Sequence, residues 1–186
     1  SGTTGTPRGV LGAHAPVARF LDWQRARYGL GPDDRVAVLS GLGHDPLLRD
    51  LFAPLSAGAS ARFPESGVRR DPARLLAWLR AERVTVAHVT PGLLAVLSAA
   101  PASAGALPDL RVAFSGGERL TRGDVARLRA IAPAARVVGL YGTTETPQGV
   151  GFHEPSDGDA TAACPSAVVP AGRGVDGVQL LVIAPG

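Results

Sequence analysis

The chain has 186 residues, of which 45% are hydrophobic and 19% are charged, and its formal net charge is +3. This length and apolar content are enough for the buried core of a globular domain. All 19 basic residues are arginines, scattered among acidic residues rather than gathered in one stripe, which argues against a nucleic-acid partner. No apolar stretch approaches the roughly 20 residues that span a bilayer, and no signal-peptide pattern is visible, so we expect a cytoplasmic protein without a membrane partner.

Helical and strand patterns alternate along the chain. Helices are predicted over 15–28, 46–57, 91–99 and 121–130, and another is predicted to open at Asp71-Pro72. Short β-type runs lie at 35–40, 60–63, 84–89, 111–115 and 136–140. Parallel strands need crossover connections, which are usually helical. The alternation therefore predicts a doubly wound α/β fold, with a mostly parallel sheet and helices on both faces.

The sequence changes character after Gly142. A loop rich in Gly, Pro, Asp and Thr follows, and the apolar run at 178–183 is predicted to be one more strand. We expect that strand to begin another subdomain, so that the chain divides into 1–152 and 153–186. The single cysteine, Cys164, excludes an internal disulfide framework and fits no metal-binding pattern.

Polar residues end three of the predicted strands. These ends are His88-Val89-Thr90, Ser115-Gly116-Gly117-Glu118 and Tyr141-Gly142-Thr143-Thr144-Glu145. Each has an ordinary structural explanation, since a glycine pair usually makes a tight turn and a buried histidine is usually a satisfied core residue. In open parallel sheets, however, ligands bind outside the carboxyl ends of the strands. Three polar ends on one edge therefore indicate a ligand site.

The residue types at these ends suit a nucleotide triphosphate. A glycine turn lets the backbone approach a flat ligand, Tyr141 offers an aromatic face, and Thr144 offers a hydroxyl. Glu145 is a hard oxygen ligand of the kind that Mg²⁺ takes singly or in pairs, together with water and phosphate. The opening stretch SGTTGTPRGV has the hydroxyl groups, glycines and cation that suit a phosphate, but it is not a Walker A sequence, because Arg8 is followed by Gly9.

Two motifs resemble signatures of the adenylate-forming superfamily, which includes acyl-CoA synthetases, luciferases and the adenylation domains of nonribosomal peptide synthetases. SGTTGTPRGV resembles its phosphate-binding loop and GLYGTTET its second signature, with FSGGERL between them at the family's glycine turn. VPAGRGVDGVQLLVI resembles the segment that leads into the family's β-barrel-like subdomain. The resemblance covers essentially the whole chain.

The resemblance implies a role for each motif. The opening loop would close over the β and γ phosphates of ATP, with arginine where lysine is commoner. Tyr141 would stack on the base, Thr144 would contact the α-phosphate, and Glu145 would hold Mg²⁺. The implied nucleotide-binding residues are Ser1, Gly2, Thr3, Thr4, Gly5, Thr6, Arg8, Gly9, Gly117, Glu118, Tyr141, Gly142 and Thr143, and the implied catalytic residues are Thr144 and Glu145.

The implied reaction is attack of a substrate carboxylate on the α-phosphorus of ATP, which gives an acyl-adenylate and pyrophosphate. Transfer to the phosphopantetheine of a carrier domain would follow. The family's catalytic lysine is absent, since the chain has no lysine. The sequence also lacks an initiating Met and opens inside a motif, so we expect a piece of a longer enzyme that is inactive alone. Its abundant Ala, Gly, Arg and Pro are typical of a GC-rich bacterial genome.

A closer resemblance concerns the substrate. LSGLGHDPLLRDLFAPLSAGA and VTVAHVTPGLL resemble the α-aminoadipate reductases and related synthetase modules. Asp45 would pair with the substrate ammonium, and Arg49, one helical turn later, could pair with a second carboxylate. In that family the pocket positions fall on Asp45, Pro46, Arg49, His88, Phe114, Gly116, Leu140, Gln148 and Gly149.

Simpler explanations stay open at this point. Asp45-Pro46 also fits a helix N-cap followed by an N1 proline. Arg49 could pair with Asp50 at the surface, although adjacent residues on a helix do not face one another. Two other functions use the same motifs, namely a free-standing acyl-CoA or aryl-acid ligase and a non-catalytic module derived from the fold. Asp45 disfavours the ligase, because fatty and aryl acids carry no ammonium, and an intact Glu145 disfavours the non-catalytic module.

Overall fold

The computed structural model describes residues 9–101, 105–146, 148–156, 164 and 166–183. The predicted phosphate-binding residues from Ser1 to Arg8 therefore lie outside the described part of the chain. Within those described ranges, no helix combines the length and the apolar character needed to cross a bilayer.

Seven strands form one sheet. They are β1 Arg35–Ala37, β2 Ser60–Arg62, β3 Val86–Val89, β4 Val112–Ser115, β5 Arg136–Tyr141, β6 Gly151–His153 and β7 Arg173–Gly174. Their order across the sheet is β2-β1-β3-β4-β5-β6-β7. The first five pair in parallel, and β6 and β7 add an antiparallel edge. The predicted fold class is confirmed.

In the described residues, six helices connect or precede these strands. They are α1 His14–Tyr28, α2 Pro46–Ala57, α3 Ser66–Arg69, α4 Pro72–Ala81, α5 Pro91–Ser98 and α6 Arg122–Ile131. Five match the predicted helices to within a residue or two, and proline or a capping residue marks the start of all of these except α1. The Asp71 side chain accepts hydrogen bonds from two N–H groups of α4, and Thr121 forms a capping box with Asp124 at the start of α6. The single turn α3 was not predicted, since four residues are too few to show a helical period.

The helices cover both faces of the sheet. Leucines of α4 and α5 and apolar residues of α6 form one core cluster, and aromatic residues of α1 dominate the cluster on the other face. Alternate residues of a strand pack into opposite clusters. Ala113 packs into the first cluster, whereas Val112 and Phe114 pack into the second. Strands buried on both faces explain why they appear in the sequence as short continuous apolar runs.

The prediction of a strand over 178–183 is wrong. No strand forms there in the described residues, and Leu181, Val182 and Ile183 are 79%, 100% and 86% exposed. An apolar run becomes a strand only where a neighbouring strand satisfies its backbone groups. The described sheet instead gains β6 and β7 at its edge, which were not predicted. Strands of three and two residues that contain glycine carry no alternation to recognise.

One ion pair links several elements at the end of the sheet opposite the polar strand ends. Arg111, just before β4, donates to both carboxylate oxygens of Asp34 at 2.8 and 2.6 Å and also to the Tyr28 carbonyl at 2.7 Å. The Thr85 hydroxyl donates to Asp34 at 2.7 Å. The end of α1 and the starts of β1, β3 and β4 therefore share one buried carboxylate.

We predict that Asp34→Asn lowers the free energy of unfolding by about 2 kcal/mol, because it removes a charge-assisted pair. Burial by itself would raise the pKa of Asp34, but its bonds to Arg111 and Thr85 outweigh burial and hold that pKa below its usual value. The ionised carboxylate therefore stabilises the fold above about pH 4, and the stabilisation is lost as pH falls through the depressed pKa. Denaturant unfolding across pH tests this, with exposed Asp33→Asn as the matched control. Equal losses in both variants would contradict the prediction.

Candidate functional site

A cavity of about 680 Å³ opens at the carboxyl ends of the parallel strands. Its wall is built by the segments that follow β1, β3, β4 and β5 and by the first turn of α2. The strand order reverses between β1 and β3, since β2 lies to one side of β1 and the later strands to the other. Such a reversal separates the two crossovers and leaves a crevice where ligands bind in open α/β sheets.

Twelve of the predicted site residues line this one cavity, although they come from four separate parts of the sequence. They are Asp45, Pro46, Arg49, His88, Gly116, Gly117, Glu118, Leu140, Gly142, Thr143, Thr144 and Gln148.

Five predicted residues in the described part of the chain lie off the wall. Gly9 is exposed near the start of the described residues. Phe114 is fully buried behind His88, with ring centroids 4.9 Å apart and planes 22° apart. Gly149 packs beside Phe20. Tyr141 and Glu145 are exposed at the rim.

Residues that the sequence analysis missed also line the cavity, namely Leu39, Ser40, Gly41, His44 and Leu93. Val89 and Thr90, which belong to a strand end that the sequence analysis named, line it as well. The first three of the missed residues follow β1, so the rule that pointed to the other strand ends could have found them. His44 lies in the loop before α2, where no local pattern marks it.

Arg49 is almost completely buried in the cavity wall, at 8% exposure. Its Nε lies 3.8 Å from Asp50 Oδ1, beyond hydrogen-bonding distance, and has no hydrogen-bond partner in the described residues. Burial lowers the pKa of Arg49 from its usual value, and the carboxylates of Asp50 and Asp45 offset only part of that effect. The ion pair of Arg49 with Asp50 that the sequence suggested is therefore present, but it is a loose, buried contact and not a surface pair.

A buried polar chain lies behind Arg49. Asp50 is fully buried, and its Oδ2 accepts the N–H groups of Leu39 and Ser40 at 3.3 and 3.0 Å. Asp50 Oδ1 lies 3.0 Å from His88 Nδ1, and the other ring nitrogen of His88 lies 2.8 Å from the amide nitrogen of Gln24. Neither Gln24 nor Asp50 was predicted to belong to the site, since each is an unremarkable polar residue of a helix.

Charge states in this chain follow from burial. Burial and the nearby Arg49 cation lower the pKa of His88, and Asp50 offsets only part of that effect, so the ring is neutral near pH 7. Burial by itself would raise the pKa of Asp50, but its contacts with His88 and the Ser40 side chain hold that pKa below its usual value. The three groups Arg49, Asp50 and His88 are therefore one cation, one anion and one neutral imidazole.

Asp45 precedes α2 but does not cap it through its side chain. Its backbone is helical, and its carboxylate accepts no N–H from the helix, in contrast to Asp71 at the start of α4. The Asp45 carbonyl instead accepts the Gln148 side-chain amide at 3.0 Å. The N-cap explanation therefore does not account for the Asp45 carboxylate, which lies on the cavity wall.

The glycines of the wall are required by the backbone. Gly117 has φ of 85°, in the left-handed region that favours glycine. A Cβ on Gly116 would lie 3.0 Å from the Leu140 carbonyl oxygen, and one on Gly142 would lie 2.8 Å from the Gly149 Cα. Close contact between neighbouring strand ends, as well as room for a ligand, therefore demands glycine here.

Two loops at the rim present groups that suit a nucleotide. Thr144 and Glu145 occupy the middle of a turn that the Thr146 N–H closes on the Thr143 carbonyl at 3.0 Å. Glu118 accepts the Gly92 N–H of α5 at 3.2 Å, so this carboxylate is already engaged. Among the described residues, no three His, Cys, Asp or Glu side chains converge as a metal site. One free carboxylate beside two hydroxyls fits Mg²⁺ that is held largely by phosphate and water.

The fold and this cavity define an α/β domain with an open cavity at the switch point of its sheet, the place where open α/β sheets bind ligands. The chain belongs to the family of AMP-binding enzymes, whose sequence pattern matches residues 1–185.

Curated relatives include the L-2-aminoadipate reductase large subunit of Eremothecium gossypii, which is 39% identical over 98% of this chain. The phenyloxazoline synthase MbtB of Mycobacterium sp. is 39% identical over 78%. The chain spans only 13% and 12% of the lengths of these two proteins.

A similar solved structure is the nonribosomal peptide synthetase FmoA3 in its α-methyl-L-serine-AMP-bound form. Its TM-score is 0.80 at 34% identity, and the match covers 92% of this chain and 19% of that one. An AMPPNP-bound form of the same protein gives a TM-score of 0.74 at 33% identity, over 95% of this chain and 18% of that one.

We predict that Gly142→Ala lowers the thermal unfolding midpoint by several degrees. The new methyl group would lie 2.8 Å from a backbone atom of Gly149, so the two segments must separate. Gly43→Ala, whose Cβ would meet nothing within 4 Å, is the matched control and should unfold close to the wild type. A Gly142→Ala variant that unfolds at the control temperature would contradict the close contact.

Proposed function

We propose that this chain is the ATP- and substrate-binding part of a longer cytoplasmic enzyme that activates an amino acid as an aminoacyl-adenylate. The observation that carries the proposal is one cavity that combines Asp45 and Arg49 with the Gly117 and Thr144 loops. A carboxylate and a guanidinium suit the two ends of a charged amino acid, and the loops suit a nucleotide. Relatives that are named as reductases of L-2-aminoadipate or that bind aminoacyl-AMP support it.

In the proposed reaction an oxygen of the amino-acid carboxylate attacks the α-phosphorus of ATP. A new O–P bond forms to give the aminoacyl-adenylate, the bond from the α-phosphorus to the bridging oxygen of the β-phosphate breaks, and pyrophosphate leaves. Asp45 would pair with the substrate ammonium and Thr144 would donate to an α-phosphate oxygen. Glu145 and the phosphates would hold Mg²⁺, which neutralises charge on the leaving pyrophosphate. Most of the rate acceleration would come from in-line positioning in the cavity.

The proposed substrate is α-aminoadipate or a similar acidic amino acid. Arg49 is a buried cation with an unpartnered Nε and only a loose contact to Asp50. Burying an incompletely paired charge is costly, so a site that keeps one is suited to an anionic ligand. A substrate side-chain carboxylate at this position would complete the hydrogen bonding of the guanidinium.

The later steps are proposed from the family context. The acyl group would pass to the phosphopantetheine thiol of a carrier domain, in the same protein or in a partner. Residues 153–186 would lead into a following subdomain, whose packing would cover the exposed side chains at 181–183. A free-standing acyl-CoA or aryl-acid ligase is the second candidate, and the Asp45 carboxylate on the wall disfavours it.

We predict that Glu145→Gln in the full-length enzyme reduces ATP–pyrophosphate exchange at least tenfold, because the neutral amide is a poorer Mg²⁺ ligand. Thermal unfolding should be unchanged, since Glu145 is exposed and outside the core. Glu65→Gln, another exposed glutamate that is not on the cavity wall, is the matched control. Exchange at the control rate would remove Glu145 from the proposed metal role.

We predict that Arg49→Leu shifts substrate preference from acidic toward neutral amino acids. A charge-assisted contact is worth about 1.5 to 3 kcal/mol, so activation of the acidic substrate should fall about tenfold to a hundredfold or more. ATP–pyrophosphate exchange across an amino-acid panel measures the shift, with added salt as the control for surface charge. A wild-type preference for a neutral substrate that Arg49→Leu leaves unchanged would overturn the acidic-substrate proposal and leave adenylation standing.

A further inference from the structure

Asp50 is not on the cavity wall, yet it contacts three groups that shape it. Its Oδ2 accepts the N–H groups of Leu39 and Ser40, which build the wall after β1. Its Oδ1 faces both His88 Nδ1 and Arg49 Nε, at 3.0 and 3.8 Å. One fully buried carboxylate therefore joins three otherwise separate parts of the wall.

His88 lines the cavity but directs both ring nitrogens away from it. Nδ1 lies 3.0 Å from Asp50 Oδ1 without forming a hydrogen bond of good geometry, and Nε2 lies 2.8 Å from the Gln24 amide nitrogen. An amide NH₂ is only a donor, so Nε2 accepts and the ring proton belongs on Nδ1, next to Asp50. Both ring nitrogens of His88 therefore have polar protein neighbours, one of which is Asp50.

Among the wall residues that the structure describes, Arg49 is the one cation. It follows the start of α2 by a single helical turn, and its neighbouring anions are Asp50 at 3.8 Å and, further away, Asp45. A buried guanidinium without an anion nearby would move toward solvent, because desolvation is expensive. A loose contact with Asp50 can hold the guanidinium in the wall while leaving its hydrogen-bond donors free.

We infer that Asp50 is a positioning residue for substrate selection, which holds Arg49 in place for the side-chain carboxylate of an acidic amino acid, with His88 and Gln24 as its support. The inference rests on the proposed function. Its physical basis is preorganisation: a cation already held in the wall requires no rearrangement when the substrate carboxylate arrives.

The chain offers a matched control for this role. Asp34 is likewise buried, is likewise paired with an arginine, and lies at the opposite end of the strands from the cavity. Asp34→Asn and Asp50→Asn therefore make the same chemical change at two buried carboxylates that each pair with an arginine. Only the second should alter selectivity.

The experiment measures kcat and KM for ATP–pyrophosphate exchange by the full-length enzyme, with α-aminoadipate and with a neutral amino acid of similar length. In Asp50→Asn we expect the acidic-to-neutral ratio of kcat/KM to fall about tenfold, mainly through KM for the acidic substrate. Asp34→Asn should leave the ratio within about twofold of wild type, because it acts on folding alone. In the Arg49→Leu background, Asp50→Asn should lower the ratio no further, since the residue it positions is gone.

A second variant covers the case in which Asp50→Asn does not fold. Gln24→Met keeps the buried volume of α1 but removes the donor to His88, so it should lower the ratio in the same direction by about threefold. An equal effect of Asp50→Asn and Asp34→Asn, or an unchanged ratio in Gln24→Met, would overturn the positioning role while leaving the Arg49 proposal intact. A wild-type enzyme without acidic preference would overturn both.

Discussion

Parallel pairing of β3 with β1 and β4 is the constraint on which the rest of the structure depends. It aligns Val86 with Val36 and with Val112, so that these strands run out at the same edge of the sheet. Parallel strands cannot be joined by tight turns, and each crossover therefore carries a helix across a face. The crossover helices on the two sides of the β1–β3 junction pack against opposite faces of the sheet. The cavity is open at this junction, and the helices bury the rest of the sheet.

Buried charged side chains are hydrogen-bonded differently at the two ends of this sheet. At the amino ends, Asp34 and Arg111 form a bidentate pair with additional bonds to backbone and hydroxyl groups. At the carboxyl ends, Arg49 has a buried Nε without a hydrogen-bond partner in the described residues. An ion pair whose donors and acceptors are all hydrogen-bonded contributes to stability and leaves no group free to bind a ligand. A buried cation with an unused hydrogen-bond donor lowers the stability of the fold, but it can bind an anion.

Much of the fold could be predicted because local signals agreed with one another. Proline at the start of α2, α4 and α5 and glycine after α1 and α2 fixed the helix limits, and continuous apolar runs marked the buried strands. The antiparallel edge was missed for the opposite reason, since Arg173–Gly174 is a strand only because it pairs with Gly151–Phe152. The apolar run at 178–183 is the opposite case. It has the composition of a strand, but it pairs with no neighbouring strand in the described residues, and no strand forms there.

By itself the sequence determined most of the helices and the parallel strands, the class of fold, the family motifs and the polar strand ends, since these depend on residue types and short spacings. Only the tertiary structure decided which of these residues share a wall, and that His88 directs both nitrogens toward Asp50 and Gln24 rather than into the cavity. It also decided that Asp45 does not cap its helix and that Arg49 is buried. The physical reason is that burial and hydrogen-bond direction are set by side chains far apart along the chain, such as Gln24 and His88, which are 64 positions apart and which no local pattern can bring together.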